Sequence, residues 1–520
     1  MAITDPVNLK TVRSKPGPQE IELKLALPTA NPSTLARRLA RTPLLARRKC
    51  TQLHLHAIYF DTPEMLLRQQ GVALRLRRTG EQADSKWLQT LKTADRGNSA
   101  LSRRGEWEKP ADDASLSLAA LEDTPWSTID TDGSLFLALE PAFETAFERT
   151  LWLVRRRDGS VVEVALDIGQ IVLGSRSAPI CELELELKAG RVTALFDIAL
   201  QFADSIALIP AGMSKAEQGY ALARDSIGAA VHAQPQPLPA KLPLPETAQR
   251  VLREMFSQFT TNLNTLLISD DPEVVHQARV GWRRFKSAKR FLRPVLPGEA
   301  VPSWLELLTL LTCLRKLRDL DVARTETLPP IAPAYTAQDP RRVGVWQSMT
   351  LALNEAANLQ RKAARYALQV PAVGACLLAI TKWLEGLTDP GAAEPLAPEP
   401  TTPPRRWALA RIRHLHKQLK LASSVSDQPD QQHRVRILAK RVRYNTEALK
   451  GLLPSKLARR WQQQASGLQD SLGAARDARQ AAVLVTELKV DPELAEFLRG
   501  FAAGAGTPPT TPPRRIDPMV

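Results

Sequence analysis

The chain has 520 residues, too many for one ordinary core, so two or three domains are expected. Hydrophobic residues make up 44% and charged residues 24%, which excludes a disordered chain, and no run of about 18 apolar residues offers a transmembrane helix. The formal net charge of +15 asks for an anionic partner, while four dispersed cysteines without a Cys-x-x-Cys pair exclude a disulfide framework and a zinc knuckle and suit a reducing cytoplasm.

In chain order, residues 1–18 read as a tail with no apolar signal-peptide segment. Residues 19–228 alternate strand and helix patterns. Strands are expected at 19–26, 53–60, 71–78, 86–93, 103–109, 149–157, 160–168 and 180–188. Helices are expected at 33–45, 113–121, 191–207 and 214–226. So many strands joined by short turns suggest an antiparallel sheet that closes or nearly closes. Residues 229–246 hold five prolines and read as a semi-stiff linker. Helical periodicity then runs from 247 to about 502, with a Pro-rich break at 389–404, before a tail at 503–520 that is expected to be disordered. The fold class is α+β multidomain, with an all-α C-terminal half.

Charges recur with period two along the strands. Glu20, Glu22 and Lys24 share one face of the first, and Glu182, Glu184 and Glu186 share one face of the last. Arg75 and Arg77, Lys86, Thr90 and Lys92, Arg104, Glu106 and Glu108, and Glu163 and Asp167 form similar rows, and Arg149 opens another strand. A solvated outer face explains any one row. Over six or more strands, an enclosed charged lining explains them better, because so many charges cannot be buried unpaired. Converging carboxylates need cations, as at a divalent-metal site with oxygen ligands. Arginine and lysine grip phosphoryl oxygens. No Walker loop, Ser-His-Asp or Cys-His arrangement is present in this half, which leaves metal-activated water as the nucleophile.

The ordered set Glu20-x-Glu22-x-Lys24, Tyr59-Phe-Asp-Thr62, Leu74-Arg-Leu-Arg77, Thr90-Leu-Lys92, Arg104-x-Glu106, Arg149, Asp167 and Glu182-x-Glu184-x-Glu186 resembles the CYTH proteins, the triphosphate tunnel metalloenzymes. The resemblance implies an N-terminal eight-stranded antiparallel β tunnel with flanking helices. It assigns Glu20, Glu22, Asp167, Glu182 and Glu184 to metal, with Glu186 extending the row. Lys24, Arg75, Arg77, Lys92, Arg104, Arg149 and Lys215 would bind the phosphate chain, and Glu106 would pair with those cations or help the metal. Glu20, Glu22, Lys24 and Arg149 would carry catalysis. Two divalent ions, Mg or Mn, are implied.

The helical half repeats itself. His276, Arg279, Arg283, Arg284 and Lys286 match His433, Arg436, Lys440, Arg441 and Arg443 at an offset of 157 residues. The pair Arg318-Asp319 recurs as Arg476-Asp477 at 158. Two copies of one unit, at about 247–388 and 405–502, are expected to form a pseudo-symmetric bundle. Positions 0, +3, +7 and +10 lie within about a quarter of a helix circumference, so each copy carries a basic stripe. The first continues to Arg290, with seven Lys or Arg and no acid over 276–293. Solvated helix faces would explain one stripe; the matched repeat favours an anion surface. This half resembles the CHAD domain, which implies inorganic polyphosphate as its ligand. Trp282, Phe285, Trp461, Trp87 and Trp107 read as core.

The expectation is therefore a cytoplasmic inorganic triphosphatase with a polyphosphate-binding module, associated with polyphosphate granules and with no membrane partner. Thiamine triphosphatase, adenylate cyclase and a non-catalytic granule-targeting protein are the alternatives. The low aromatic content, 5%, argues against nucleic acid.

Overall fold

The computed structural model describes residues 18–29, 31–80, 86–93, 99–296, 301–388, 402–423, 429–471 and 474–504. The expected tails lie outside the described residues, except for 18, 503 and 504, and the side chain of His433 also lies outside them. The chain divides into two compact units, Met1–Ile227 and Gly228–Val520.

The first unit is a closed barrel. Its strands are β1 (Gln19–Ala26), β2 (Cys50–Asp61), β3 (Val72–Thr79), β4 (Lys86–Thr93), β5 (Leu101–Ala111), β6 (Glu140–Arg155), β7 (Val161–Leu173) and β8 (Arg176–Ala189). They run in the order β5-β4-β3-β2-β6-β7-β8-β1, and β1 also pairs with β5, closing eight strands with antiparallel pairing throughout. A two-residue strand, Ile209–Pro210, adds to β1. Alternation places Leu23 and Leu25 of β1 and Leu183 and Leu185 of β8 at 0% exposure, on the face covered by helix α2 (Thr193–Ala203), which follows α1 (Leu35–Ala40) in the chain. The charged residues between them face inward.

Two local expectations differ. The helix expected over 113–121 is only a 3-10 turn at Ala119–Leu121. The Ser115 N–H donates to Asp113 Oδ1, an aspartate-led turn that competes with helix formation. Strand β6 starts at Glu140, nine residues before the expected 149. Pro141 hides that start; it sits at a register shift opposite Phe60, where a proline is tolerated. Helix α3 (Lys215–Ala223) begins with a capping box between Ser214 and Glu217. It packs closely on β6, because a Cβ on Gly219 would lie 2.0 Å from the Phe143 ring.

The second unit is helical. Its helices are α4 (Leu244–Leu266), α5 (Pro272–Leu292), α6 (Leu308–Val322), α7 (Pro340–Leu368), α8 (Pro371–Gly386), α9 (Pro404–Ser423), α10 (Pro429–Ala448), α11 (Ser455–Ser471), α12 (Ala474–Leu488) and α13 (Pro492–Gly504). The α4–α5 and α9–α10 hairpins are the repeated pieces, and α5 packs on α10. At that contact the Asn445 amide donates to Ser287 Oγ at 3.1 Å, between positions 158 residues apart. Gly281 lets α5 approach α4, since a Cβ there would lie 2.8 Å from the Phe259 nitrogen. Trp282, Phe285 and Trp461 are buried, Trp107 packs on an apolar cluster, and Trp87 lies under Arg78. The proline stretch does not hang free. Val231 exchanges two hydrogen bonds with the Asn262 side chain of α4, and Leu238 and Leu242 are buried.

Candidate functional site

Strand register brings the charged rows together. On one side of β1, Glu20 lies opposite Arg104 of β5; on the other, Lys24 lies opposite Glu184 of β8. Around the barrel, Arg149 lies opposite Asp167, Asp167 opposite Glu182, Lys92 opposite Glu106, and Arg75 opposite Tyr59. The enclosed cavity has a volume of about 550 Å³ and is lined by residues of all eight strands and of α3.

The pairs fall into two linked groups. In the first, Arg104 Nε donates to Glu20 at 2.7 Å and its Nη2 to Glu22 at 2.6 Å. Lys92 reaches Glu20 at 2.9 Å and Glu106 at 2.7 Å. In the second, Arg149 clamps Asp167 with two bonds of 2.8 and 2.7 Å and reaches Glu184 at 2.6 Å. Lys215, from the first turn of α3, contacts Asp167 at 2.6 Å, Glu184 at 3.0 Å and also Glu182. Lys24 joins the groups, 2.7 Å from Glu184, 3.5 Å from Glu182 and 3.9 Å from Glu22.

Burial disfavours a charge, and the partners decide the outcome. For Lys24, the carboxylates of Glu182, Glu184 and Glu22 outweigh burial and hold its pKa well above the ordinary value. Lys215, Arg104 and Arg149 are raised in the same way by their carboxylates. Burial likewise opposes the charge of Glu20, but Lys92 and Arg104 keep it far below the carboxylate range. Glu184 is held down by Lys215, Lys24 and Arg149. Lys24, Lys215, Arg104, Arg149, Glu20 and Glu184 are therefore all held in their charged forms. Buried pairs add little net stability, so these charges are better explained by a ligand than by folding.

Asp167, Glu182 and Glu184 offer oxygens that all lie within 4.8 Å of one another. This all-carboxylate set suits a hard divalent cation. Glu20 and Glu22 instead gather around Arg104. Glu186 stands apart with Lys188 at 2.6 Å, and burial followed by the charges of Glu20 and Glu163 raises its pKa. Arg75 and Arg77 line the cavity from β3, Arg77 bonded to Glu108 at 2.9 Å.

Some lining residues were not singled out from the sequence. Arg68 lies in a four-residue helical turn too short to show a period, and Lys188 follows the carboxylate row on β8. Tyr220 donates to Asp61 at 2.7 Å across 159 residues, a pairing no local pattern reveals. Asp61 also accepts the N–H groups of Thr62, Leu67 and Arg68, so it fastens both the 62–68 turn and α3 to the barrel.

In the helical unit, basic residues of both copies converge. Burial, then Arg283, Arg315 and Arg318, lowers the pKa of Arg279 to about 10 against the opposing pull of Asp319. Arg283 in turn faces Arg436 and Lys440 of the second copy. Burial, then Arg283, Arg436, Arg476 and Arg443, lowers Lys440 to about 7. His276 is lowered to about 4 by burial and by Arg318, so its imidazole is neutral at pH 7. Lys286 and Arg290 are exposed, and Arg441 lies near Arg290. Arg284 is turned into the bundle at 1% exposure, donating to Gln258 at 2.6 Å, Glu254 at 3.1 Å and Glu447 at 3.3 Å.

Residues 18–220 match the CYTH domain and residues 250–486 the CHAD domain. The inorganic triphosphatase of Haemophilus influenzae is 36% identical over 211 residues, which cover 39% of this chain and 55% of that protein. The chain thus spans about half the length of that curated relative. Among solved structures, the CHAD domain from the plant Ricinus communis shares 28% identity, with 53% of this chain and 91% of that one covered and a TM-score of 0.45. A Hippeastrum protein described as a candidate adenylyl cyclase with dominant triphosphatase activity shares 20% identity, with 40% and 95% covered and a TM-score of 0.29. The chain carries a CYTH domain followed by a CHAD domain.

Proposed function

We propose that the tunnel hydrolyses inorganic triphosphate to pyrophosphate and phosphate, and that the helical unit binds inorganic polyphosphate. One observation carries the first part: a barrel interior in which six cations, Lys24, Arg75, Arg77, Lys92, Arg104 and Arg149, line one cavity together with Glu184, a member of a compact carboxylate set with Asp167 and Glu182. A linear anion can exchange its oxygens for the carboxylates now paired to those cations. Arg75, Arg77, Lys92 and Arg104 hold the phosphate chain, while Glu20 and Glu22 fix the Arg104 guanidinium in place. Arg149 and Lys24 stand between the phosphates and the carboxylate set and offset negative charge as it develops on the leaving oxygen. Asp167, Glu182 and Glu184 would hold divalent metal, Mg or Mn, which when bound supplies phosphoryl polarisation and a more acidic water.

Inorganic triphosphate is favoured over a nucleotide or thiamine ester by the aromatic inventory. Among the described residues, Tyr59, Phe147 and Tyr220 are the aromatics lining the cavity. Tyr59 stacks on Phe143, Lys215 lies over Phe147, and Tyr220 is bonded to Asp61. No such ring is left free to seat a base. The converging stripes of α5 and α10 support polyphosphate binding, and through it a cytoplasmic protein held at polyphosphate granules. Phosphate release from triphosphate, ATP and thiamine triphosphate, each with Mg or Mn, is the test. Triphosphate should be preferred at least about tenfold in kcat/KM, about 1.4 kcal/mol; equal use of all three would sink the substrate assignment.

A further inference from the structure

Helix α7 presents a face to solvent that its own fold does not cover. Leu351 is 64% exposed, Leu359 71% and Tyr366 73%. Glu355, Asn358 and Lys362 are exposed between them. At 100° per residue these six side chains fall within about 100° of one another, so they form a single stripe. The opposite face, with Met349, Leu353, Ala357, Arg361, Ala364 and Leu368, is buried in the bundle. Large apolar side chains in a row on an exposed helix mark an interaction site more often than scattered ones do.

The stripe is self-complementary. About a point between Asn358 and Leu359, Leu351 and Tyr366 are equally spaced, and so are Glu355 and Lys362. An antiparallel pairing of two α7 helices about a two-fold axis through that point sets Leu351 against the second copy's Tyr366. It sets Glu355 against the second copy's Lys362, each contact occurring twice. Leu359 then packs near the axis. The two charges on the stripe also make it a poor face for lipid.

We propose that α7 is a homodimer interface, with a second copy of this chain as its occupant, packed antiparallel through Leu351, Leu359 and Tyr366 and registered by reciprocal Glu355–Lys362 pairs. Three large side chains per copy make a small contact, so the association is weak and depends on concentration.

Sedimentation equilibrium of the full chain tests this, with the variants Glu355→Lys, Lys362→Glu and the double exchange. All four positions of the reciprocal pairs are exposed, so none of these changes threatens the fold. Wild type should self-associate to a dimer. Each single exchange sets like charges opposite each other twice and should weaken the dimer at least about tenfold. The double exchange should restore it to within about threefold of wild type. A wild type that stays monomeric at every concentration would overturn the proposal. So would a dimer indifferent to the single exchanges, or a double variant no better than either single. Floating the protein with phosphatidylcholine vesicles separates the membrane reading: binding that falls with Tyr366→Ser in a protein that stays monomeric would overturn it as well.

Discussion

At the scale of residues, the tunnel and the helical surface use charge in opposite ways. In the tunnel Lys24, Lys92, Arg104, Arg149 and Lys215 each have a carboxylate within hydrogen-bond reach, and Lys24 and Lys215 stay charged despite burial. On the helical surface cations face cations, and Lys440 sits near its titration point at about 7. A bound polyanion supplies the missing negative charge and raises that pKa again, so binding takes up a proton wherever free Lys440 is neutral. Polyphosphate affinity should therefore fall as pH rises from about 6 to about 8, over and above simple screening. Lys440→Arg should flatten that slope, because a guanidinium stays charged throughout. Calorimetric titration in buffers of different ionisation enthalpy counts the proton; an unchanged slope in the arginine variant would mean Lys440 is not at the anion surface.

The same scale shows what the sequence makes legible. Period-two rows identified Glu20, Glu22, Lys24, Arg75, Arg77, Lys92 and Arg104 as sharing an interior, and the structure places all of them along one cavity. It could not say which carboxylate would meet which cation. Asp167, Glu182 and Glu184 converge while Glu20 and Glu22 turn to Arg104, because register between distant strands decides that, and register follows tertiary pairing.

Elements follow the same logic. Strands with clean alternation were readable, whereas β6 extends past Pro141 because only its pairing with β2 reveals the start. The helix at 113–121 failed to form because a local aspartate turn competes there. On α5, helical spacing groups Arg284 with its neighbours as basic, but the next position around the helix points inward. Arg284 bridges α4 to α10 through Glu254, Gln258 and Glu447, so it joins the two repeats. Arg284→Ala leaves those acids without their shared cation and should cost about 3 kcal/mol, read as a lower midpoint in urea unfolding. Arg283→Ala, on the half-buried stripe, should cost under about 1 kcal/mol. Equal losses would mean that Arg284 does not tie the helices together.

At the scale of the whole molecule, two units with different charge designs share one chain. The proposed roles divide between them: hydrolysis in the closed barrel, polyphosphate binding on the helical bundle. Phosphate release from inorganic triphosphate by the full chain, with Mg or Mn, separates the two roles when Glu22→Ala is compared with the paired variant Arg283→Ala, Arg436→Ala. Glu22→Ala removes a partner that fixes Arg104 and should reduce kcat at least about a hundredfold, about 2.7 kcal/mol. The paired variant should keep kcat within about twofold of wild type. An active Glu22→Ala enzyme, or a helical variant that loses triphosphate hydrolysis, would contradict the account.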